Sequence, residues 1–240
     1  MRIELLDVHK CYGDISALRG VTLTVPSGQR VALVGPNGSG KSTLIRAIMG
    51  MLRIRGKIRL DGDEPGNVEL ARKIAYVPQN SPLLNATVED LICFTELIRD
   101  LKANRVKEVA ARLSLDTAAI ARQPVRSLSG GMRQKLMLAL AFAASFSLLI
   151  LDEPTASLDE EARNSFLELY GEVAADTTVL VSTHRLEEVR LLAEHVVMLE
   201  DGQVVYQGLA DEVLRPGPAA DQGERWRNPS EHRWLPAWAR

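Results

Sequence analysis

The stretch that most constrains the fold is GPNGSGKST at positions 35–43. The apolar run RVALV before it is typical of a buried strand, and LIRAIMG after it suits a helix. Glycines let successive backbone N–H groups point inward, and the N-terminus of a helix favours anions. The stretch therefore fits the G-x-x-x-x-G-K-[ST] phosphate-binding loop, which kinases, GTPases and motor ATPases share.

Three side chains of this loop have separate expected roles. Lys41 can reach the β- and γ-phosphates of a nucleotide, Ser42 can bind Mg²⁺ through its hydroxyl, and Thr43 would contact the α-phosphate. The predicted nucleotide-binding positions are Gly35, Pro36, Asn37, Gly38, Ser39, Gly40, Lys41, Ser42 and Thr43.

Short apolar runs recur along the chain, with helical patterns such as 159–175 and 185–194 between them. Several runs are continuously apolar, as in strands buried on both faces of a parallel sheet. The runs lie at 30–35, 57–62, 73–78, 147–152, 177–184 and 195–202. They predict an α/β fold, a P-loop NTPase core with a mainly parallel sheet. Short strands within 2–12, 21–25 and 57–62 predict a small antiparallel β-subdomain beside it.

Residues 87–126 change to a helical periodicity, and Thr87 followed by Asp90 predicts a helix N-cap. We expect a helical subdomain at about 80–140, inserted into a main domain of residues 1–215. Periodicity is lost after residue 216, so 216–240 is predicted to be a flexible tail. The tryptophans and arginines of that tail also fit an anchor for a partner or a membrane surface.

The run SLLILDEP places two carboxylates where a buried strand ends. Open α/β sheets bind ligands at the carboxyl ends of their strands, so Asp152 is expected to hold Mg²⁺, through water. Glu153 directly follows and can polarise a water for in-line attack on a γ-phosphate. Upstream, SLSGGMRQKL opens a long apolar helix, for which Ser129 is a good N-cap. Gly130 and Gly131 at this helix start also expose amides to an anion.

These motifs stand in one order with YVPQ at 76–79, SLD at 157–159 and VSTH at 181–184. Over roughly residues 1–210 they resemble the ATP-binding subunits of ABC transporters. The resemblance implies ATP and Mg²⁺, and a head-to-tail dimer that encloses two ATP molecules, with a homodimer expected and a heterodimer left open. It implies that Ser129, Gly130 and Gly131 bind the ATP of the second subunit, and that Asp159 helps to join the two subunits.

Three further roles rest on the resemblance. Tyr12 matches the aromatic that stacks on adenine, although a half-buried strand residue would look the same. Gln79 matches a residue that ligates Mg²⁺ and senses the transmembrane partner, and it could instead be a turn amide. His184 matches a residue that hydrogen-bonds the γ-phosphate and orients Glu153, against the alternative of a structural histidine. Met132 stands where Gln is commonest, and because backbone amides contact the phosphate we expect little loss.

Composition limits the partners. The net charge of −2 does not indicate nucleic-acid binding. The apolar stretch 136–151 is shorter than the ~20 residues that a membrane span needs, and it is predicted to be a buried helix followed by a buried strand. The two cysteines have no metal-ligand spacing and suit a cytosolic protein. Together with these features, the resemblance implies a protein on the cytoplasmic face of the membrane, bound to a separate transmembrane permease.

The leading hypothesis is an ATPase that powers a transporter, most similar to ABC-2 exporter-type ATPases. One alternative is an ABC ATPase that drives a membrane signalling or mechanical complex. A soluble ABC ATPase of repair or translation ranks lower, because those usually carry large insertions or two fused cassettes. The sequence does not identify the substrate.

Overall fold

The computed structural model describes residues 1–214, 227–228 and 233–234, and the chain divides into two compact units. The first unit contains Met1–Ala71 and Asp176–Arg240, and the second contains Arg72–Ala175. The helical subdomain expected at about 80–140 falls within the second unit. The tail expected at 216–240 lies outside the described residues, apart from the paired short strands Arg227–Asn228 and Arg233–Trp234.

Nine longer strands and eight helices follow in chain order within residues 1–214. The strands are β1 (Ile3–Tyr12), β2 (Ile15–Val25), β3 (Arg30–Val34), β4 (Arg55–Leu60), β5 (Ile74–Val77), β6 (Leu148–Asp152), β7 (Thr178–Ser182), β8 (His195–Glu200) and β9 (Gln203–Leu209). The helices are α1 (Lys41–Ile48), α2 (Val68–Arg72), α3 (Val88–Ile98), α4 (Arg105–Arg112), α5 (Gly130–Ala143), α6 (Glu160–Val173), α7 (Leu186–Leu192) and α8 (Ala210–Leu214).

The first unit contains both kinds of sheet that the sequence predicts. β3 pairs in parallel with β7 on one side and β8 on the other, and β9 adds an antiparallel edge to β8. All five residues of β7 are buried, as its continuous apolar run predicts. β1 pairs antiparallel with both β2 and β4, which confirms the predicted antiparallel sheet.

The second unit contains the parallel pair β5 and β6 and the helices α3 to α6. The 136–151 stretch is divided between the buried face of α5 and the fully buried β6, so its reading as a helix followed by a strand is confirmed. Phe142 of α5 stacks on Phe166 of α6, with 5.9 Å between the ring centroids. Among the described helices, none is both long enough and apolar enough to cross a membrane.

The helical pattern of 87–126 forms two helices and then ends. α3 begins at the predicted cap, because the Thr87 hydroxyl accepts the Asp90 N–H and the Asp90 carboxylate accepts the Thr87 N–H. α4 ends at Arg112, and Ser114 just beyond it has a positive φ of 54°. That left-handed backbone stops a helix. A 3₁₀ turn at Val125–Ser127 then precedes α5.

Candidate functional site

The phosphate loop of the first unit runs from the end of β3 to the start of α1. A Cβ on Gly35 would lie 2.2 Å from the carbonyl oxygen of Leu199, and one on Gly40 would lie 2.6 Å from that of Ala17. Gly40 also has a φ of 106°. The neighbouring backbone therefore excludes any side chain at these two positions, and the loop keeps the glycine-lined form that phosphate binding needs.

Two polar groups in this loop suit an anionic ligand. Lys41 is 7% exposed, and its Nζ donates to the carbonyl oxygens of Gly35, at 2.7 Å, and of Pro36, at 3.0 Å. Ser39 is 2% exposed, and its hydroxyl has no hydrogen-bond partner among the described residues. Buried polar groups are normally paired, so an unpaired hydroxyl in the same loop as a buried ammonium suits the oxygens of a bound phosphate.

Two other predicted residues lie in the first unit. Tyr12 ends β1 and is 44% exposed, with the Lys10 ammonium 5.0 Å from the centroid of its ring. His184 lies two residues beyond β7 and is exposed, so it follows the buried strand rather than ending it. The preceding residue, Thr183, is buried and donates its hydroxyl to Glu188 at 2.6 Å. That bond, which no motif in the sequence indicates, anchors the chain next to His184.

The second unit brings together Gln79, Asp152 and Glu153. Asp152 is the last residue of β6 and is 4% exposed. Gln79 follows β5, and its Nε2 donates to Oε2 of Glu153 at 3.1 Å. Because β5 and β6 are parallel neighbours, their carboxyl ends meet at one edge of the sheet. The sequence predicts a role for each of these three residues, but it does not predict the direct bond between Gln79 and Glu153.

Glu153 has a positive φ of 50°, which is unusual for a residue with a side chain. Such strain persists where the surrounding structure fixes it, and it is concentrated at functional sites. Here the strained backbone follows the buried Asp152 directly. It turns the chain at the end of β6, where the candidate catalytic carboxylate lies.

A buried glutamine of α5, which the sequence motifs do not single out, also belongs to this site. Gln134 accepts a hydrogen bond from the Ser81 hydroxyl at 3.1 Å and donates one to the carbonyl oxygen of Pro154 at 3.0 Å. Ser81 lies two residues after Gln79, and Pro154 directly follows Glu153. The signal in the sequence is a lone glutamine on the buried face of a strongly apolar helix.

The loop at the start of α5 contains Ser129, Gly130 and Gly131. Ser129 is the N-cap of α5, as predicted, and its hydroxyl accepts the N–H of Met132 at 3.2 Å. A Cβ on Gly131 would lie 3.0 Å from the carbonyl oxygen of Ser157, whereas one on Gly130 would meet nothing within 4 Å. The loop therefore presents backbone at a helix N-terminus. Its role toward the ATP of a second subunit stays a prediction.

Asp159 is the N-cap of α6, and its Oδ1 accepts the Ala162 N–H at 2.8 Å. Lys135 lies 3.4 Å from its other oxygen. The Ala162 N–H, and secondarily the Lys135 charge, lower the pKa of Asp159. The residue thus has a structural task within its own unit, and its role in joining two subunits stays a prediction.

Comparison with known proteins gives the family. The profile of the family described as ABC transporter matches residues 18–156. The Fe(3+) ions import ATP-binding protein of Mesorhizobium japonicum is 38% identical over 225 residues, which cover 89% of this chain and 62% of that protein. The Nod factor export ATP-binding protein I of Rhizobium johnstonii is 39% identical over 215 residues, which cover 86% of this chain and 68% of that protein.

A solved structure shares the fold. It is a dimeric ATP-binding cassette in a post-hydrolysis state, bound to ADP and phosphate, with a TM-score of 0.76 and 27% identity, covering 87% of this chain and 98% of that one. The chain spans 62% of the length of the iron-import relative. One of the two relatives serves import and the other export, so the exporter subtype stays a prediction. The ordered motifs, the α/β fold and these matches show that the chain belongs to the ATP-binding subunits of ABC transporters.

Proposed function

We propose that this chain binds ATP with Mg²⁺ and hydrolyses it to power an ABC transporter through a separate transmembrane permease. The observation that carries this proposal is the hydrogen bond between Gln79 and Glu153, directly after the buried Asp152. It orients a carboxylate that directly follows the expected Mg²⁺-binding residue, and a carboxylate of this kind can act as the general base for water. Membership of a family of ATP-binding subunits supports the choice of ATP.

ATP binding is assigned to the first unit's phosphate loop. Lys41 is already desolvated, and exchanging the carbonyl oxygens of Gly35 and Pro36 for phosphate oxygens would replace these two neutral partners with charged ones. The Ser39 hydroxyl would gain the partner that it lacks among the described residues. The amides from Gly38 to Thr43 complete the cradle, and the ring of Tyr12 would stack on adenine.

The residues present fit Mg²⁺ through the chemistry of their donor atoms. Ser42 offers a hydroxyl oxygen, Gln79 an amide oxygen, and Asp152 a carboxylate that would act through water. Mg²⁺ prefers oxygen ligands and is commonly bound by one or two carboxylates together with substrate phosphates. When bound, it would offset charge on the β- and γ-phosphate oxygens.

Hydrolysis is assigned to Glu153. Its carboxylate would accept a proton from water while the water oxygen bonds to the γ-phosphorus and the bond to the ADP oxygen breaks. Gln79 would hold the carboxylate, and His184 would donate a hydrogen bond to the γ-phosphate and orient Glu153. These groups position and polarise the reactants, which is the main task in phosphoryl transfer.

Two macromolecular partners follow. The dimeric cassette that this chain resembles supports a second ATPase subunit, whose Ser129–Gly131 loop and Asp159 would complete each ATP site.

The permease would bind the region of residues 80–98 in the helical part of the second unit, where large apolar side chains are exposed. These are Leu83, Phe94, Leu97 and Ile98, which are 68%, 60%, 80% and 47% exposed. Exposed apolar clusters of this kind mark interaction sites. The chain would thus be peripheral on the cytoplasmic face of the membrane.

The test of hydrolysis is Glu153→Gln, which keeps the shape of the side chain and removes the base. We expect hydrolysis to fall by about 10²- to 10⁴-fold, the usual contribution of a general base, while ATP binding is retained. The matched control is Glu160→Gln, at an exposed carboxylate of the same unit, which should hydrolyse ATP like the wild type. Hydrolysis by Glu153→Gln at the wild-type rate would exclude Glu153 as the base.

The test of the partner uses the same variant as an ATP-bound trap. Added with ATP to detergent-solubilised native membranes, it should recover a polytopic membrane protein that mass spectrometry identifies. Leu97→Glu, made in the trap, should reduce that recovery, whereas Val68→Glu, at a comparably exposed apolar residue of the first unit, should not. Recovery of soluble proteins alone would favour a soluble ABC ATPase. A membrane partner that moves no substrate despite coupled hydrolysis would favour a signalling complex.

A further inference from the structure

Gln134 is the fifth residue of α5 and is 2% exposed. The other buried residues of α5 are apolar. A buried amide costs free energy unless its donor and its acceptor are both paired. Both are paired here, to Ser81 on one side and to Pro154 on the other. The side chain therefore has one defined orientation.

The two partners of Gln134 lie on the two loops that carry the candidate catalytic groups. Ser81 belongs to the loop after β5, two residues beyond Gln79, and Pro154 belongs to the turn after β6, next to Glu153. The Gln79–Glu153 bond joins the same two loops at 3.1 Å. Side-chain bonds and short backbone segments thus form a closed ring that runs through both loops, and Gln134 is its buried polar member.

This ring connects the site to the start of α5. Gln134 lies five residues after Ser129, so a rigid helical turn and a half separates the buried amide from the glycine loop. That loop is the one assigned to the ATP of the second subunit. A shift of α5 would reach Glu153 through the bond to Pro154 and Gln79 through the bond to Ser81.

We propose that Gln134 is a positioning residue for ATP hydrolysis, which aligns Gln79 and Glu153 with the helix that begins at Ser129. The inference rests on the proposed function, because it needs Glu153 to be the base. Gln134 acts through its two neighbours, Ser81 and Pro154. Its importance follows from geometry, since a misplacement of about 1 Å at a reacting group can lower a rate by about 10²-fold.

The test replaces Gln134 by leucine, which has a similar size and neither hydrogen-bonding group. The matched control is Gln123→Leu, at an exposed glutamine of the same unit. Each purified full-length variant is checked for folding, and kcat, KM for ATP and the affinity for a fluorescent ATP analogue are then measured. For Gln134→Leu we expect kcat to fall by about 10- to 100-fold, with KM and affinity within about twofold of wild type. The control should match the wild type.

A second arm separates positioning from a general structural role. Residues that act as a unit have non-additive effects, so Gln134→Leu should lower the residual rate of Glu153→Gln by less than about twofold. A full further loss in that background would overturn the inference, as would an unchanged kcat in folded Gln134→Leu. Should Gln134→Leu fail to fold, Ser81→Ala decides, because it removes one bond from outside the helix. A several-fold lower kcat supports the inference, and an unchanged kcat overturns it.

Results that contradict the proposed function differ from results that contradict only the role of Gln134. A wild-type chain that folds but neither binds nor hydrolyses ATP would contradict the function itself, and the inference with it. Wild-type hydrolysis that depends on Glu153 but is indifferent to both Gln134 and Ser81 would contradict the inference alone.

Discussion

The side-chain amide of Gln79 donates a hydrogen bond to the carboxylate of Glu153, with 3.1 Å between Nε2 and Oε2. The donor and the acceptor of an amide are separate atoms. Gln79 can therefore hold the base through its nitrogen while its oxygen serves as a ligand for Mg²⁺. Gln79 alone would then set the position of both the base and the metal.

Replacing Gln79 by leucine should remove both contacts at similar size. We expect kcat for ATP hydrolysis to fall by about 10-fold or more, because the carboxylate loses its support. The Mg²⁺ concentration that gives half-maximal activity should rise, because one oxygen ligand is lost. Titration of Mg²⁺ at saturating ATP measures both effects. Asn80→Leu, at the adjacent exposed amide, is the control and should change neither.

The positive φ of Glu153 gives a prediction about stability. Left-handed backbone costs a side-chain-bearing residue about 1–2 kcal/mol, and glycine avoids this cost. Glu153→Gly should therefore be more stable to urea than Glu153→Ala by about 1 kcal/mol, although glycine is normally the destabilising member of the pair. Both variants lack the base, so activity does not complicate the comparison.

The control for that reversal is Ala156→Gly, three residues on, at an exposed residue without a positive φ. At this position the alanine form should be at least as stable as the glycine form, so glycine should lower the free energy of unfolding or leave it unchanged. If Glu153→Gly is less stable than Glu153→Ala, the backbone at this position carries no strain that a glycine relieves.

Local patterns in the sequence were enough to predict the phosphate loop and most of the strands. β3 and β7 are continuous apolar runs, and such runs report burial on both faces without knowledge of the rest of the fold. β9 was not predicted, because its exposed and buried residues alternate weakly and its place depends on pairing with β8. α2 was missed because a helix of five residues has too little periodicity to detect.

The contacts inside the candidate site could not be predicted in the same way. Gln134 lies 53 residues from Ser81 and 20 from Pro154, so its partners exist only after β5, β6 and α5 have packed. The Gln79–Glu153 bond spans 74 residues. Motifs identify which residues act, whereas the choice among hydrogen-bond partners is a tertiary property.

Two glycines of the phosphate loop allow strain and steric overlap to be separated. Gly38 and Gly40 both have positive φ, of 85° and 106°. A Cβ on Gly38 would meet nothing within 4 Å, whereas one on Gly40 would lie 2.6 Å from the carbonyl oxygen of Ala17. Gly38→Ala should cost about 1–2 kcal/mol of unfolding free energy. Gly40→Ala should cost clearly more, because β2 must move. Urea unfolding without nucleotide measures both, and equal losses would contradict the overlap.

The N-terminal cap of α3 should make stability depend on pH. The Thr87 hydroxyl, and then its backbone N–H, lower the pKa of Asp90 below 3.8. A carboxylate whose pKa is lower in the folded state stabilises the protein above its unfolded pKa, and the contribution is lost as pH falls through the folded value. The urea midpoint of Asp90→Asn should therefore be lower than that of the wild type at pH 7. The difference between the two urea midpoints should narrow below about pH 4.

The control for this cap is Glu89→Gln, in the same first turn of α3. It removes the same charge near the helix N-terminus without touching the capping bonds. A pH-dependent gap of equal size in Glu89→Gln would assign the effect to the helix dipole rather than to the cap.

At alkaline pH the sensitive group is Tyr206. Burial, and secondarily the hydrogen bond that its hydroxyl donates to Glu212 at 2.9 Å, raise the pKa of Tyr206 to about 12 from 10.0. A raised pKa in the folded state means that the contribution to stability is complete below pH 10 and is lost as pH rises toward 12. Tyr206→Phe should be less stable than the wild type at neutral pH, and this difference in stability should disappear above pH 10.

Glu212→Gln should let tyrosinate absorbance appear at lower pH, whereas the neighbouring Asp211→Asn should not. An unchanged titration in Glu212→Gln would leave burial as the sole cause of the raised pKa.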